Sequence, residues 1–266
     1  MTGPARPWAV ITGAARGMGA AVADRLVRDG FDLLLLDAPG GELATAVGYP
    51  LGSVRELSEV ADRCRAAGAR VLTAEVDVRD GDAVAAAVER VPDGRLRAAV
   101  AVAGIIGADR PAWELSRAEM DLDLDVNLHG VANLARGSVP RLLAQPVGTG
   151  RFVAVVSMAG ERGLPRLAGY VASKHAALGY IRSLAADLAP HGVTANALLP
   201  GSTRTRLLER SARVYGLDDV EDFAPHQRLG RLLEPAEIAA AAGWLCGPDS
   251  SAVTGTAFRV DGAFVG

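Results

Sequence analysis

The sequence predicts an α/β fold: a doubly wound parallel sheet with helices on both faces, in a single domain. Three observations carry this. The chain has 266 residues, 50% of them hydrophobic and 22% charged, enough to bury the core of one sheet domain. Short β-rich runs alternate with Ala-rich stretches of helix length. Runs such as LLLL and AAVAVA are continuously apolar, which strands become when both sheet faces are covered by helices.

In chain order the strand candidates are Trp8–Thr12, Leu33–Asp37, Arg70–Val76, Ala98–Ala103, Phe152–Ser157, Val193–Leu199 and Phe258–Val260. The first runs into a glycine-rich turn and a helix reaching Gly30. The second ends at Asp37 and is followed by a long insert, 38–53, ahead of a helix from Val54 to Gly68. Helical stretches follow at Leu128–Leu143 and from Tyr170 to about Ala189. After Pro200 comes another long segment, 201–234, in which Leu207, Leu208, Tyr215 and Phe223 are interleaved with charge; it reads as a substrate lid. No internal repeat or low-complexity linker divides the chain, so 1–266 is expected to be one domain.

Charge and cysteine usage exclude several functions. With 28 basic and 31 acidic residues, net −3, nothing draws the chain generally to a phosphate backbone or an anionic bilayer. Neither nucleic acid nor membrane partners are expected. The longest apolar stretches, 31–36 and 98–106, fall short of a membrane span, and only Met1 to Pro7 precede the first apolar run. Cys64 and Cys246 lack metal-ligand or CxxC spacing and read as buried thiols of a cytoplasmic protein. No motif suggests a metal.

The strand WAVIT leads into Gly13, Arg16, Gly17, Met18 and Gly19 and then a helix. Glycine permits the tight turn and close backbone approach, and the helix N-terminus offers unpaired N–H groups to a pyrophosphate. Asp37 lies 24 residues beyond Gly13, near the offset at which an acid meets the adenosine ribose. Its charge would repel a 2′-phosphate, and no base follows in APGG, so NAD is expected over NADP. Arg16 is the opposing vote.

Ser157 ends the strand FVAVVS, and Tyr170 and Lys174 follow 13 and 17 residues on. The i, i+4 spacing stacks Tyr170 and Lys174 on one helix face. A phenol with a pKa of about 10 is a poor base at neutral pH, so a neighbouring ammonium has work to do. Lys174 is the only lysine in the chain, and its compact charge suits a site that must also hold ribose hydroxyls.

TGAARGMG, Asp37, Asp77 in EVDV, Asn127 in DVNLHG, Ser157, the Tyr170/Lys174 pair and Pro200-Gly201 in LLPGSTRT together resemble the short-chain dehydrogenase/reductase family across essentially the whole chain. The resemblance implies a Rossmann-type fold. It also implies that Tyr170 is the general base of alcohol oxidation and the acid of the reverse reaction. Ser157 would hold the substrate oxygen, Lys174 would bind the nicotinamide ribose and lower the Tyr170 pKa, and Asn127 would hold a relay water. Asp77 and Val78 would flank the adenine, with Thr203 and Thr205 near the carboxamide and phosphates. Where the family commonly reads Asn-Asn-Ala-Gly, this chain has Ala101-Val102-Ala103-Gly104, leaving backbone contacts from Ala103 and Gly104. With the long insert and the segment YGLDDVEDFAPHQRLGRLLEPAEIAAAAGWLC, the chain resembles the mycofactocin-coupled subgroup. That implies an NAD enclosed by the insert, with electrons leaving through a mycofactocin-type carrier.

The expected substrate is a small apolar alcohol or ketone, from the side chains of the 201–234 segment. His226 lies in that segment; His129, His175 and His191 read as helix residues without catalytic work. The Ala-rich helices at 128–143 and 170–188 predict a homo-oligomer, a dimer or a homotetramer. Two alternatives are an ordinary dehydrogenase with freely exchanging NAD(H) and a non-enzymatic nucleotide-binding regulator.

Overall fold

The structure, a computed structural model, describes residues 6–38 and 40–265. Residues 1–5, Pro39 of the insert and Gly266 lie outside the described residues. The strands are β1 (Trp8–Thr12), β2 (Asp32–Asp37), β3 (Val71–Glu75), β4 (Leu96–Ala101), β5 (Arg151–Val155), β6 (Thr194–Pro200) and β7 (Ala257–Val260). They form one sheet in the order β3-β2-β1-β4-β5-β6-β7, every neighbouring pair parallel.

The continuous apolar runs divide their side chains between two cores. Val10, Leu34 and Leu36 pack with α4 (Gly81–Glu89), α6 (Gly130–Leu143) and α7 (Ala168–Leu188) on one face. Ile11, Leu33 and Leu35 pack with α1 (Gly17–Arg28), α3 (Val54–Ala66) and α9 (Pro235–Cys246) on the other. Because successive strand residues point to opposite faces, LLLL must be apolar throughout. The strand order reverses beside β1, and the crevice beyond the strand ends there is where such sheets bind ligands.

β4 and β5 end two residues earlier than the apolar runs suggest. The Val102 and Ala103 N–H groups leave the ladder for Thr12 Oγ1, at 3.1 and 3.3 Å. The Ser157 hydroxyl accepts from Ala159 N at 3.0 Å and opens a 3₁₀ turn, Met158–Gly160. The insert carries a six-residue helix, α2 (Glu42–Val47), too short to announce itself by periodicity. α5 (Arg117–Leu124) meets α6 through a π-helical turn, Asp125–His129, and α8 (Arg206–Tyr215) lies within the 201–234 segment.

Candidate active site

Two adjoining cavities open at the C-terminal ends of the strands. The first is lined by Gly13, Arg16, Gly17, Met18, Gly19, Asp37, Asp77, Val78, Ala103, Gly104 and Thr205, together with Leu43, Tyr49, Leu51 and Gly52 of the insert. The second holds Ser157, Tyr170, Lys174, Pro200, Gly201 and Thr203, walled by Leu207, Leu208, Tyr215, Phe223 and His226. Met18, Gly104 and Thr205 line both, so the cleft is continuous from the glycine turn to the phenol.

The glycine turn is a cradle that side chains would fill. A Cβ on Gly19 would stand 1.9 Å from the Gly13 carbonyl oxygen, and one on Gly13, at φ +66, 2.7 Å from Ala103 N. Gly17 has a positive φ of 56. Asp37 accepts from Ala15 N at 2.7 Å and Ala38 N at 2.8 Å through different oxygens, and each keeps a lone pair for a further donor. Burial raises its pKa above the usual carboxylate value, against those two amides and Arg16. Gly52 closes on this carboxylate: a Cβ there would lie 2.8 Å from Asp37 Oδ1.

Arg16 turns toward the insert. Its Nη2 donates to Pro50 O at 2.5 Å and its Nη1 lies 4.0 Å from Glu56 Oε1, which removes its vote for a 2′-phosphate. Asp77 pairs with Arg79 at 2.6 Å, and Val78 packs under α2 with Leu43, Val47 and Tyr49. Thr205 caps α8, accepting from Leu208 N at 3.3 Å, and Thr203 donates to Gly201 O at 3.0 Å.

The first turn of α7 carries the phenol, and the next turn the ammonium. Lys174 Nζ stands 5.7 Å from the Tyr170 ring centroid, and both side chains are buried. Burial pushes the phenol up to about 12, opposed by the Ser157 hydroxyl and reinforced by Asp123 and Tyr49. Burial also pushes Lys174 down to about 8, opposed by Asp123. In the protein alone, burial therefore holds the Tyr170 pKa above the ordinary phenol value.

Asn127, on the π-helical turn, lines neither cavity. Its Oδ1 accepts from Ile105 N at 2.9 Å, and its Nδ2 donates to Ile105 O at 3.0 Å and Ser173 Oγ at 2.9 Å. It lies behind Gly104, whose added Cβ would be 3.1 Å from Asn127 Oδ1 and 3.2 Å from Lys174 Nζ.

The sequence reading takes Val47, Tyr49 and Leu51 as the apolar contact of the insert over NAD, but it misses the role of the Tyr49 hydroxyl and two further groups, Asp123 and Arg210. The Tyr49 hydroxyl accepts from Ile106 N at 3.0 Å. Asp123 is fully buried; its Oδ1 accepts from Gly107 N at 2.9 Å and its Oδ2 has no partner among the described residues. Burial pushes this carboxyl up to about 6, against the Gly107 amide and Lys174. Its only sequence signal is that it shares a helix face with Met120 and Asn127, at i−3 and i+4. Arg210 of α8 donates to Asp109 Oδ2 at 2.9 Å and Gly107 O at 3.1 Å, and lies 6.0 Å over the Tyr49 ring.

Residues 13–264 match the protein family described as Enoyl-(Acyl carrier protein) reductase. Among curated relatives, (-)-trans-carveol dehydrogenase of Rhodococcus erythropolis is 34% identical over 95% of both chains. An NAD-dependent oxidoreductase of Mycobacterium tuberculosis is 36% identical over 95% of this chain and 94% of that one. Among solved structures, carveol dehydrogenase from Mycobacterium avium in complex with NAD superposes with a TM-score of 0.89 at 32% identity, covering 97% of this chain and 96% of that chain. Levodione reductase follows with a TM-score of 0.85, 30% identity and 96% coverage of each.

Proposed function

Because this chain belongs to the short-chain dehydrogenase/reductase family of oxidoreductases, we propose that it moves hydride between a small apolar alcohol or ketone and a tightly held NAD. Re-oxidation by an external carrier of the mycofactocin type completes the proposal. The observation that carries it is the insert: Leu43, Val47 and Tyr49 form a buried cluster with Val78, Ile105 and Val126 along the wall of the glycine-turn cavity.

The residues present fit the dinucleotide. Gly13, Gly17 and Gly19 leave backbone bare for a pyrophosphate, and the Asp37 oxygens, each with one amide donor, would accept from ribose hydroxyls. The Asp37 carboxylate would repel a 2′-phosphate at short range, which supports NAD over NADP. Asp77 and Val78, lining the glycine-turn cavity, would flank the adenine; Ala103, Gly104, Pro200, Gly201, Thr203 and Thr205 would contact the nicotinamide half.

NAD, when bound, supplies the hydride acceptor and a positive charge. Tyr170 exchanges the proton with the substrate oxygen, and Ser157 holds that oxygen by a hydrogen bond. With its pKa near 12, Tyr170 is protonated at neutral pH, ready to act as the acid of ketone reduction. For oxidation it must lose that proton, which the Lys174 ammonium favours by stabilising the phenolate. Asn127 fixes the backbone behind Gly104 and so holds the 104–105 wall in register with Lys174. Leu207, Leu208, Tyr215 and Phe223 exclude water and select an apolar substrate. A homo-oligomer and a cytoplasmic setting belong to the same reading.

The test is purification followed by desalting, release of small molecules by acid, and chromatography for dinucleotide. Co-purified NAD, with turnover of apolar alcohols supported by an artificial electron acceptor and poorly by added NAD, is the expected result. A dinucleotide-free protein that cycles added NAD efficiently refutes the tight-binding reading and leaves an ordinary dehydrogenase.

A further inference from the structure

At the opposite end of the sheet, where the parallel strands begin, lies a third cavity. Its walls come from the residues at the start of four strands: Pro7 before β1, Phe31 before β2, Arg95 and Arg97 around the start of β4, and Gly148, Thr149 and Arg151 around the start of β5. Cys246, Gly247 and Pro248 at the end of α9 close it. It is separated from the glycine turn and the phenol by the length of the strands, and shares no lining residue with either cavity described above.

Three guanidinium groups and no carboxylate line this cavity. None of the three arginines joins an ion pair among the described residues. The nearest acid in sequence, Asp93, is taken by Arg141 at 3.1 Å. Arg151 is only 2% exposed. It is held by backbone carbonyls alone, Nε on Gly247 O at 3.0 Å and Nη1 on Gly148 O and Gly150 O at 2.9 Å, which leaves Nη2 without an acceptor among the described residues. Arg97 spends only Nη1, at 3.3 and 3.4 Å, on Gly94 O and Leu96 O, and the Arg95 side chain makes no hydrogen bond to a described residue.

For the buried Arg151 this arrangement is costly without a counter-charge, since buried charges in proteins are normally paired, while Arg95 and Arg97 are part-exposed beside it. Burial pushes both Arg151 and Arg97 below the ordinary guanidinium value, and Arg95 adds to the effect on Arg97 by like-charge repulsion. Across the β5–β6 pair from Arg151 stands Thr194, buried, its hydroxyl also without a partner among the described residues. In a chain of net charge −3, a carboxylate-free cluster of three arginines is a local exception. Residues 1–5, which precede Pro7, contain no acidic side chain that could neutralise it.

We infer that this cavity binds a small phosphate-bearing anion between Arg95, Arg97 and Arg151. Three planar guanidinium forks lining one cavity from two backbone segments suit the oxygens of a phosphate or pyrophosphate group, which accepts bidentate hydrogen bonds from more than one direction. Pro7, Phe31 and Pro248 supply apolar wall beside the cations, against which an organic substituent of the phosphate rests.

The test is titration calorimetry on protein saturated with NAD, so that the pyrophosphate position of the glycine turn is occupied, at ionic strength held constant with NaCl. The probes are inorganic phosphate, pyrophosphate and phenyl phosphate. Saturable binding of at least one probe with a Kd below about 1 mM is expected, weakened at least about tenfold in Arg95→Gln/Arg97→Gln. Tighter binding of phenyl phosphate than of inorganic phosphate identifies an organic phosphate as the occupant; the reverse identifies the free anion. Circular dichroism checks that the double variant folds, and the single Arg95→Gln and Arg97→Gln variants serve if it does not. Absence of saturable binding by all three probes, or equal affinity in the folded variants, overturns the inference. The experiment reads binding at a separate cavity and is independent of the outcome for the oxidoreductase reading.

Discussion

Replacing Asp123 by asparagine tests a buried acid held well above its ordinary value. In the folded chain its carboxyl is fully buried and titrates at about 6, against an ordinary value of 3.8. The folded state thus holds this proton more tightly than the unfolded state does. Stability contributed by the protonated form is complete below about pH 4 and is lost as pH rises through 6. The shift of about 2 units corresponds to about 3 kcal/mol by linkage. The Asp123→Asn variant has no charge to bury at this position, so its unfolding free energy should lack this decline. The amide also places an N–H₂ where Oδ2 has no partner, and an unsatisfied buried donor costs about 1–3 kcal/mol. The informative quantity is therefore the change with pH, which cancels that constant penalty. Urea unfolding at matched protein concentration, at intervals from about pH 4 to 8, should show the wild-type-minus-variant difference moving by about 2–3 kcal/mol against the wild type. Parallel curves across that range would refute the assignment of a buried, raised carboxyl.

Three further outcomes are expected. Tyr170→Phe should lower turnover by about 10²–10⁴-fold while NAD binding, measured by fluorescence quenching, persists; near-wild-type activity would end the proton-transfer role. Asp37→Ala should weaken NAD and relax discrimination against NADP, compared by their dissociation constants; a wild type that already prefers NADP contradicts the argument. Tyr49→Phe removes the acceptor of the Ile106 N–H, a loss of about 1–3 kcal/mol, and should speed NAD release by about 5- to 100-fold in stopped-flow displacement.

The parts of this molecule that were readable from the sequence are those written in local patterns. Strands covered on both faces must be apolar at every position, so LLLL and AAVAVA announce a parallel sheet on their own. The glycine spacing and the Tyr170/Lys174 pair lie within one turn and one helix, and their geometry follows from backbone rules. What stayed hidden depends on partners distant in sequence. Nothing near Asn127 says that Ile105 and Ser173 occupy its amide, and nothing near Arg16 says that it reaches Pro50. The upward shift of Tyr170 was hidden for the same reason, since it depends on burial against residues distant in sequence, such as Ile106 and Val214.

The segment after β4 hangs from three consecutive peptide groups. Ile105, Ile106 and Gly107 each give their N–H to a side-chain oxygen, from Asn127, Tyr49 and Asp123 in turn. Two of these anchors belong to the helical frame, and the middle one belongs to the insert. Lifting the insert would therefore strip the buried Ile106 N–H of its acceptor, and a water molecule would have to enter as the Tyr49 hydroxyl departs. Opening is on this account a hydration event with an activation barrier of its own, not a free hinge swing. Its rate should respond to water activity, slowing in solutions of excluded osmolytes even where the affinity for dinucleotide barely changes.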